Sequence, residues 1–588
     1  MSAEETIRNK HTGDNEQLEF IFSDEPKIIV TAPAGCGKTT AMVSKIAREL
    51  CLGSIESNKK ALAMTFSVNA AIRIKDSLKD LLPDIVDNPK ALLDKVDIAN
   101  YHNFAMRLLH KYGYALNNNF INLDNFRIID DDAVISHGLL TSSDEFEFKK
   151  LADAVLSFQY DELCRCLDSY WNILSNKLII RNIITYNGIL VAAIKLFCIS
   201  KVANFYRNYY QMIIIDEFQD TNLLGYMLVE KLIDNNKVIF LGDGIQKIYG
   251  FLGAIDNILN VAAERYDAKI IAFKNNYRFK SNKRMKQLDL FVRDYAEKYR
   301  ASSLTATLLI KKLKSDYDEV DFISSGVKTI LCTENNVAVL VRAGWQGQII
   351  VKKLEEERVP FFNALYGDTD VEYIRFYNVA VEEFHNNVPG RAVQRALRNC
   401  LKAVKEREHE VYTDSNKKYI FDSLYKLLEK LFEISRTWDG TSKDRYINID
   451  FSLGNKGLKH MMEYLDEKIV LTTIHSAKGL EWDYVIIPQM NASIFPSWKH
   501  VCKKCHEVHG CYDGIDYCIN TFIPDMERNL KEELSIYYVA LTRARKDVFV
   551  TVNTGLNKYG YPKKTNCLIN LQGLVHQDFE WANCIGKP

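Results

Sequence analysis

The chain has 588 residues, and a length of that order predicts about four folded units rather than one. Hydrophobic residues make up 47% of the chain and charged residues 26%, which is typical of a folded protein and excludes a disordered or collagen-like chain. Lysine and arginine number 76 and aspartate and glutamate also 76, so the net charge of zero excludes a global positive field, and any site for a polyanion must be local.

The first fifteen residues are polar and of mixed charge, without the apolar core of a signal peptide. The longest apolar stretch, Gly188 to Ser200, is interrupted by Lys195 and is too short to cross a bilayer. We therefore expect a cytoplasmic protein with no membrane partner. In that compartment the 13 cysteines stay reduced, so metal binding is the property to consider for them, rather than a disulfide framework.

Short β-branched segments alternate along the chain with longer helical patterns, which predicts an α/β fold with mainly parallel strands. The predicted strands are Lys27 to Thr31, Ala61 to Phe66, Gln211 to Ile215, Lys237 to Leu241, Val337 to Val341, Ile469 to Thr473 and Tyr484 to Pro488. Two stretches, 114–210 and 382–455, have leucine and aromatic residues at helical spacing and no strong strand pattern. We interpret them as helical insertions.

The first predicted strand leads into a loop of small residues and then into a lysine–threonine pair. Backbone N–H groups of such a loop converge on phosphate oxygens at a helix N-terminus, while Lys38 would reach the β and γ phosphates and Thr39 would reach magnesium. Alanine occupies position 32, where the common pattern has its first glycine. The alternative is a glycine-rich turn without a ligand. The predicted nucleotide-binding residues of this segment are Ala34, Gly35, Cys36, Gly37, Lys38, Thr39 and Thr40.

A second apolar strand, 212–215, ends in the acidic pair Asp216 and Glu217. Asp216 would hold the magnesium ion, and Glu217 would orient or deprotonate the attacking water. The alternative is an ordinary helix N-terminus, where carboxylates complement the helix dipole. Together with the loop before Lys38, the acidic pair predicts an ATPase site with ATP and Mg²⁺ as its cofactors.

The segment from Asp216 to Thr221, Asp-Glu-Phe-Gln-Asp-Thr, resembles the second motif of the UvrD/Rep helicases of superfamily 1A. Other segments resemble the remaining motifs of that family, in the family's own order. These segments are Gln17, which lies 21 residues before Lys38, and then 65–71, 101–104, 242–251, 276–278, 473–481 and 538–544. The segment 242–251 departs from its motif by Gly244 and Ile245, and by Phe251 where tryptophan is usual. The resemblance therefore extends over almost the whole chain.

The resemblance implies two RecA-like P-loop domains with parallel sheets, each carrying a mainly helical insertion, with ATP in the cleft between the domains. The implied ranges are 1–113 with 211–275 for the first domain, 114–210 for its insertion, 276–381 with 456–588 for the second domain, and 382–455 for its insertion. The last insertion is short for the accessory domain that the family often carries there. Translocation is therefore a firmer expectation than duplex unwinding.

The resemblance also assigns roles at the ATP site. The implied catalytic residues are Lys38, Glu217, Gln246, Arg278 and Arg543. Of these, the glutamine would sense the γ-phosphate, and the two arginines would stabilise the charge on the transferred phosphoryl group. Gln17 would read adenine, Tyr277 would stack on it, and Glu481 would accept a hydrogen bond from the ribose. The alternatives for the last two are a core tyrosine and a surface carboxylate.

Single-stranded and duplex DNA are the partners that the resemblance implies. The implied DNA-binding residues are Phe66, His102, Tyr249, Phe251, Thr473 and His475. Stacking on aromatic side chains contributes about 1 to 3 kcal/mol per base and needs few charges, so it is compatible with a net charge of zero. For the aromatic members of this set, the alternative is packing beneath their own motifs.

After the last motif, the strand 548–552 leads into a turn-rich segment of hairpin type. Its position resembles that of the strand-separating hairpin of the family. Tyr559 or Tyr561 would then be the wedge against the first base pair, and the alternative is an ordinary hairpin.

The segment 498–520 is a cysteine-rich insertion that common members of the family lack. Cys502 and Cys505 form a C-x-x-C pair, and Cys511 and Cys518 follow, with two histidines nearby. Such ligands complete a tetrahedral zinc shell, so the segment predicts a structural zinc ion. The second pair is spaced more loosely than in a standard knuckle, and the alternative is a loop of reduced cysteines.

The implied function is that of a DNA-dependent ATPase and helicase, which moves 3′ to 5′ on single-stranded DNA and unwinds duplex DNA in repair, replication or defence. An alternative from another class is a DNA-sensing regulatory ATPase subunit of a multi-protein system, such as an anti-phage system, with weak unwinding and a protein partner such as a nuclease. A P-loop kinase or GTPase is disfavoured, because the two arginines in the second half of the chain have no place in it.

Overall fold

The computed structural model describes residues 2–65, 68–86, 88–129, 131–136, 138–247, 257–300, 302–367, 370–438, 441–454, 456–509, 526–557 and 560–585. The chain folds into two compact units. The first consists of Met1–Tyr277 and Lys443–Gly454, and the second of Arg278–Ser442 and Asn455–Pro588.

The first unit is built on a six-stranded parallel sheet. The strands of this unit are β1 (Lys27–Thr31), β2 (Lys60–Thr65), β3 (Val96–Asn100), β4 (Arg127–Ile129), β5 (Ile183–Thr185), β6 (Tyr210–Ile215), β7 (Lys237–Gly242) and β8 (Lys269–Ala272). The order across the sheet is β3-β2-β6-β7-β1-β8, and all neighbouring strands in it are parallel. The remaining two strands, β4 and β5, form a separate parallel pair.

Both faces of this sheet are apolar because helices cover it on both sides. Along β6, Ile213 and Ile215 belong to one buried cluster, whereas Ile214 belongs to the other. In the same way, Ile29 and Val30 of β1 point to opposite clusters. The unbroken β-branched sequence of these strands is therefore explained by burial on both faces.

The helices of the first unit precede, follow and connect these strands. They are α1 (Ala3–Lys10), α2 (Asn15–Phe22), α3 (Lys38–Cys51), α4 (Val68–Leu81), α5 (Pro89–Leu93), α6 (Tyr101–Tyr112), α7 (Asp131–Ser136), α8 (Ser142–Leu156), α9 (Tyr160–Ile173), α10 (Tyr186–Leu196), α11 (Ser200–Tyr209), α12 (Leu223–Leu232) and α13 (Ile258–Tyr266). Among the described residues no single helix is long and apolar enough to span a membrane, and α10 and α11 reach that length only as a pair bent by 93°.

The second unit contains a seven-stranded sheet. Its strands are β9 (Ala306–Leu313), β10 (Val337–Val341), β11 (Phe362–Ala364), β12 (Ile469–Thr473), β13 (Trp482–Ile487), β14 (Ala544–Asn553) and β15 (Leu574–Gln577). Their order is β11-β12-β10-β13-β14-β9-β15, again with parallel neighbours. The helices that follow β8 in the chain are α14 (Lys283–Lys298), α15 (Asp316–Leu331), α16 (Gln348–Glu356), α17 (Val371–Asn387), α18 (Gln394–Glu406), α19 (Glu408–Val411), α20 (Lys418–Ile434), α21 (Ser442–Gly454), α22 (Lys503–His509), α23 (Glu527–Leu541) and α24 (Trp581–Cys584).

These two parallel sheets confirm the predicted fold class. The sequence did not predict β4 and β5, which lie within the stretch 114–210, because three residues are too few to show an alternating pattern. The helix α21 was expected to belong to the second half of the chain, but residues 443–454 group with the first unit.

Candidate functional site

The candidate ATP site lies where three neighbouring strands of the first unit end. Because β1, β6 and β7 are parallel neighbours, their carboxyl ends lie at one edge of the sheet. The loop before Lys38 follows β1, the pair Asp216–Glu217 follows β6, and Asp243 follows β7. The fold thus brings together the two motifs that the sequence placed about 180 residues apart in the chain.

The loop 32–37 has the backbone shape of a phosphate-binding loop. Gly35 and Gly37 have φ values of 78° and 71°, in the left-handed region that favours glycine. The helix α3 begins directly afterwards at Lys38 and has no side-chain cap. Its first N–H groups and its dipole are therefore suited to an anion, as the sequence predicted. Thr39 and Thr40 lie in the first turn of this helix.

The Lys38 ammonium group lies between the two carboxylates of the acidic pair. Its Nζ is 2.7 Å from Oε1 of Glu217 and 3.3 Å from Oδ1 of Asp216. Burial lowers the pKa of Lys38, but the charges of Asp216 and Glu217 outweigh burial and hold that pKa above its usual value. Lys38 is therefore a fixed positive charge at the point where the sequence places the phosphates.

Asp216 is a buried carboxyl group beside the Lys38 cation. It is 4% exposed, and burial raises its pKa even though Lys38 acts in the opposite direction. A carboxylate and the Thr39 hydroxyl are hard oxygen ligands of the kind that Mg²⁺ prefers. These residues therefore fit a magnesium ion.

A chain of hydrogen bonds connects Glu217 with the end of β7. Gln219 donates through Nε2 to Oε2 of Glu217 over 2.5 Å, and its Oε1 accepts from the backbone N–H of Asp243 over 3.0 Å. Asp243 in turn accepts from Nε2 of Gln246 over 2.8 Å. Gln246, the predicted γ-phosphate sensor, is thus linked to Glu217. The sequence did not identify the bridging role of Gln219, although the residue lies within the second motif.

Three side chains lie beside the loop, one from α2 and two from the segment after β8. Gln17 donates through Nε2 to the carbonyl oxygen of Cys36 over 2.8 Å. Asn276 donates through Nδ2 to the carbonyl oxygen of Ala34 over 3.0 Å. The ring of Tyr277 faces Gly37 and is 45% exposed, so an aromatic face is available beside the loop.

The orientation of the Tyr277 ring is fixed by a residue that the sequence did not identify. Asp14 caps α2 by accepting from the backbone N–H of Gln17 and also accepts from the Tyr277 hydroxyl over 2.6 Å. Burial and the nearby Asp14 carboxylate raise the pKa of Tyr277. Aspartate is a preferred N-cap residue, and Asp14 stands directly before the helix that contains Gln17, so this pattern in the sequence could have identified it.

The second unit brings together the other predicted ATP residues. Arg278 forms an ion pair with Glu481 and donates to the backbone carbonyl of Thr542. Arg543 is 3% exposed and donates to the carbonyl oxygens of Val539 at 3.0 Å and Leu480 at 3.3 Å. Glu481, the predicted ribose acceptor, thus has Arg278 as an ion-pair partner, and its contact with the ribose stays a prediction.

Of the predicted DNA contacts, His102, Thr473 and His475 are described. His102 lies in α6. Its ring centroid is 5.4 Å from that of Phe451, in the segment Lys443–Gly454, and 6.0 Å from that of Tyr186, in α10. Thr473 ends β12, and its hydroxyl donates to Ser476 over 3.0 Å. The other predicted contacts, Phe66, Tyr249 and Phe251, lie outside the described residues.

The predicted hairpin after β14 is described in part. Leu556 and Pro562 form an antiparallel bridge, and the backbone N–H of Asn557 donates to the carbonyl of Tyr561 over 2.7 Å. The Tyr561 side chain is 68% exposed. Tyr559, the second wedge candidate, lies outside the described residues.

The cysteine-rich insertion is also described in part. Cys502 is buried, with its Sγ 3.4 Å from the carbonyl oxygen of Pro496, and the Sγ of Cys505 lies 3.7 Å from Sδ of Met526. Cys511 and Cys518 lie outside the described residues. Within the described part of the chain, no group of three histidine, cysteine or acidic side chains is arranged to hold a metal ion.

Comparisons with known proteins point to one family. Residues 14–267 match the family model of the UvrD/REP helicase N-terminal domain, and residues 372–555 match that of the UvrD-like helicase C-terminal domain. The chain is 23% identical to "DNA helicase II" of Rickettsia typhi and 24% identical to "Probable DNA helicase II homolog" of Rickettsia conorii, over 92% of each chain. It is also 23% identical to "ATP-dependent DNA helicase PcrA" of Staphylococcus aureus, over 94% of this chain and 84% of that relative.

Proposed function

Because the chain belongs to the UvrD/Rep family of helicases, which are DNA-dependent ATPases, we propose that it moves 3′ to 5′ along single-stranded DNA and unwinds duplex DNA. The direction comes from the family resemblance. Repair, replication and defence against foreign DNA are the processes in which such an activity would serve.

The observation that best supports this proposal is the contact of Lys38 with both Asp216 and Glu217. Phosphate oxygens of ATP would compete with the two carboxylates for the ammonium group of Lys38. Once Lys38 binds phosphate, Glu217 is released to accept the proton of the water that attacks the γ-phosphorus. Asp216 and Thr39 would hold Mg²⁺, which neutralises the charge of the phosphates.

The hydrogen-bond chain at the end of β7 gives Glu217 a route to the rest of the first unit. Gln219 fixes one oxygen of the Glu217 carboxylate, and through Asp243 it reaches Gln246. When the γ-phosphate at Gln246 changes, this chain of hydrogen bonds would therefore alter the position of the Glu217 carboxylate, the general base. Arg278 and Arg543 would supply positive charge to the transferred phosphoryl group.

Replacement of the general base tests this assignment. We expect Glu217→Gln to lower DNA-stimulated ATP hydrolysis by at least about 100-fold, because an amide cannot accept the proton, while ATP binding is retained. The measurement is steady-state phosphate release with and without single-stranded DNA. Glu264→Gln, a change of an exposed glutamate on α13, is the matched control. Unchanged hydrolysis in Glu217→Gln contradicts the assignment.

DNA would be held by Thr473, His475 and His102 together with the predicted aromatic residues outside the described part of the chain. Tyr561 is the proposed wedge, because an exposed aromatic ring on a short closed loop can stack on the first base pair. This role would make Tyr561 important for strand separation and unimportant for ATP hydrolysis.

A regulatory role is the second candidate function. The predicted insertion 382–455 is short for the accessory domain of the family, which makes duplex unwinding a weaker expectation than translocation. In that case the ATPase would bind DNA and, through its ATP hydrolysis, regulate a protein partner such as a nuclease. Hydrolysis without strand separation, together with co-purification of such a partner, would favour this function.

A structural zinc ion is proposed for the cysteine-rich insertion. Cys502 and Cys505 are close to each other in the chain, and Cys511 and Cys518 would complete the thiolate shell. We expect about one equivalent of zinc in the purified protein, measured by elemental analysis, and its loss with a chelator should loosen this segment. Less than about a tenth of an equivalent contradicts the proposal.

A further inference from the structure

His11 connects the predicted adenine-reading residue with the helix that begins at Lys38. The residue follows α1 and is 3% exposed. Its Nδ1 lies 2.5 Å from Oε1 of Gln17, and its Nε2 lies 2.8 Å from Oγ of Ser44 in α3. Gln17 and Ser44 are themselves buried. These contacts do not take part in the chemistry assigned to the site above.

The partners determine which atom donates in each contact. The carbonyl oxygen of Cys36 only accepts, so the nitrogen of the Gln17 amide must face it, and Oε1 must face His11. Oε1 only accepts as well, so Nδ1 of His11 carries the proton. Burial lowers the pKa of His11, against the opposing effect of its hydrogen bond with Gln17. With the proton on Nδ1, the other ring nitrogen, Nε2, is placed to accept from the Ser44 hydroxyl.

Two contacts therefore hold the Gln17 amide in one orientation. If the amide turned over, its nitrogen would face the N–H of His11, and its oxygen would face the carbonyl oxygen of Cys36. Gly37 leaves the room for this arrangement, because a Cβ at that position would lie 2.8 Å from Nε2 of Gln17. The loop and His11 together thus define where the amide oxygen and nitrogen lie.

The held amide offers one hydrogen-bond acceptor and one donor to a ligand. Of the two lone pairs on Oε1, His11 uses one, and of the two N–H groups on Nε2, the Cys36 carbonyl uses one. Adenine presents the complementary pair, the N6 amino group as donor and N7 as acceptor. Guanine presents two acceptors on that edge, N7 and O6. A fixed Gln17 would therefore leave its oxygen facing an oxygen of guanine.

We propose that His11 is a specificity-determining residue, which fixes the Gln17 amide so that the site selects adenine over guanine nucleotides. The proposal rests on the ATP-dependent function proposed above. Because His11 acts through Gln17 and does not contact the reacting atoms, it is a positioning residue. We therefore expect a substitution of His11 to change nucleotide binding rather than the rate of the chemical step.

Nucleotide preference in His11 variants tests this inference. The readout is the ratio of kcat/KM for ATP to kcat/KM for GTP, measured with single-stranded DNA in excess. We expect His11→Ala and His11→Phe each to lower this ratio about tenfold, mostly by raising KM for ATP, with kcat changed less than about twofold. His11→Phe is the matched variant, because it keeps a buried ring and removes both ring nitrogens, the donor to Gln17 and the acceptor for Ser44. An unchanged ratio in both variants overturns the inference.

A third variant keeps the test decisive if neither His11 variant folds. Ser44→Ala removes the partner of Nε2 and leaves the contact of His11 with Gln17, so we expect the ratio to fall about threefold. No change in that ratio likewise overturns the inference. Wild-type protein that hydrolyses neither nucleotide would contradict the proposed function itself, whereas wild-type protein that hydrolyses both equally would contradict only the role of His11.

Discussion

Gly37 of the phosphate-binding loop lies close to two side chains. Its φ of 71° favours glycine, and a Cβ there would meet Nε2 of Gln17 at 2.8 Å and the ring of Tyr277 at 3.6 Å. Both neighbours are proposed to hold the base of ATP. A substitution at Gly37 would therefore displace the adenine-binding side chains as well as strain the backbone.

A second glycine, Gly53, separates the effect of backbone strain from the effect of crowding the adenine-binding side chains. Gly53 has a φ of 68°, but a Cβ there would meet nothing within 4 Å. We expect Gly37→Ala to raise KM for ATP at least tenfold, and Gly53→Ala to leave KM unchanged while costing about 1 kcal/mol of stability. ATPase kinetics and urea denaturation of both variants measure this. Equal KM values in the two variants would refute the crowding argument.

At the scale of single residues, the sequence predicted the charged chemistry and missed the side chains that position it. Lys38, Asp216 and Glu217 were identified because their types and order carry the chemistry. His11 and Gln219 act only by holding another side chain. The spacing of residues in a single sequence does not show which loops and helix ends become neighbours in the folded protein. Their roles appear only once β6, β7 and the first two helices are packed together.

At the scale of elements, the segment Lys443–Gly454 is the main departure from expectation. It lies in the second half of the chain, yet it packs on the first unit, where Asn103 donates to Asn448 over 3.1 Å and the ring of His102 meets that of Phe451. The periodicity of the sequence correctly indicated a helix here. Periodicity does not show which unit a helix will pack against, because a helix has the same spacing of apolar residues whichever unit it covers.

The docking of this segment should depend on pH. Burial lowers the pKa of His102 to about 4, although a hydrogen bond with the Tyr186 backbone raises it in part. In an undocked state the pKa returns towards the ordinary value of 6.5. The undocked state then binds a proton more readily, so docking is strongest above about pH 6.5 and weakens as the pH falls towards 4.

Hydrogen exchange measures this effect. We expect the amides of Lys443–Gly454 to exchange about tenfold faster at pH 5 than at pH 7, after correction for the intrinsic rate. In His102→Phe, which keeps an aromatic ring but cannot be protonated, the corrected rate should not change with pH. The same pH dependence in both proteins would show that another group is responsible.

At the scale of the whole molecule, the net charge of zero and the proposed DNA partner are compatible. The predicted DNA contacts are mainly aromatic side chains, and stacking of bases on such rings needs few charges. The alternation of β-branched segments with helical patterns predicted the class of both sheets. The unit that segment 443–454 joins depends on long-range packing, which that alternation does not encode.

Strand separation on tailed duplexes tests the central claim most directly. Purified protein with ATP and Mg²⁺ is mixed with duplexes that carry a 3′ tail, a 5′ tail or blunt ends, with Glu217→Gln as the control without hydrolysis. We predict separation of the 3′-tailed duplex alone, and none with Glu217→Gln. Preference for the 5′-tailed duplex would contradict the direction, and DNA-stimulated hydrolysis without separation of any duplex would contradict the helicase function and favour the regulatory one.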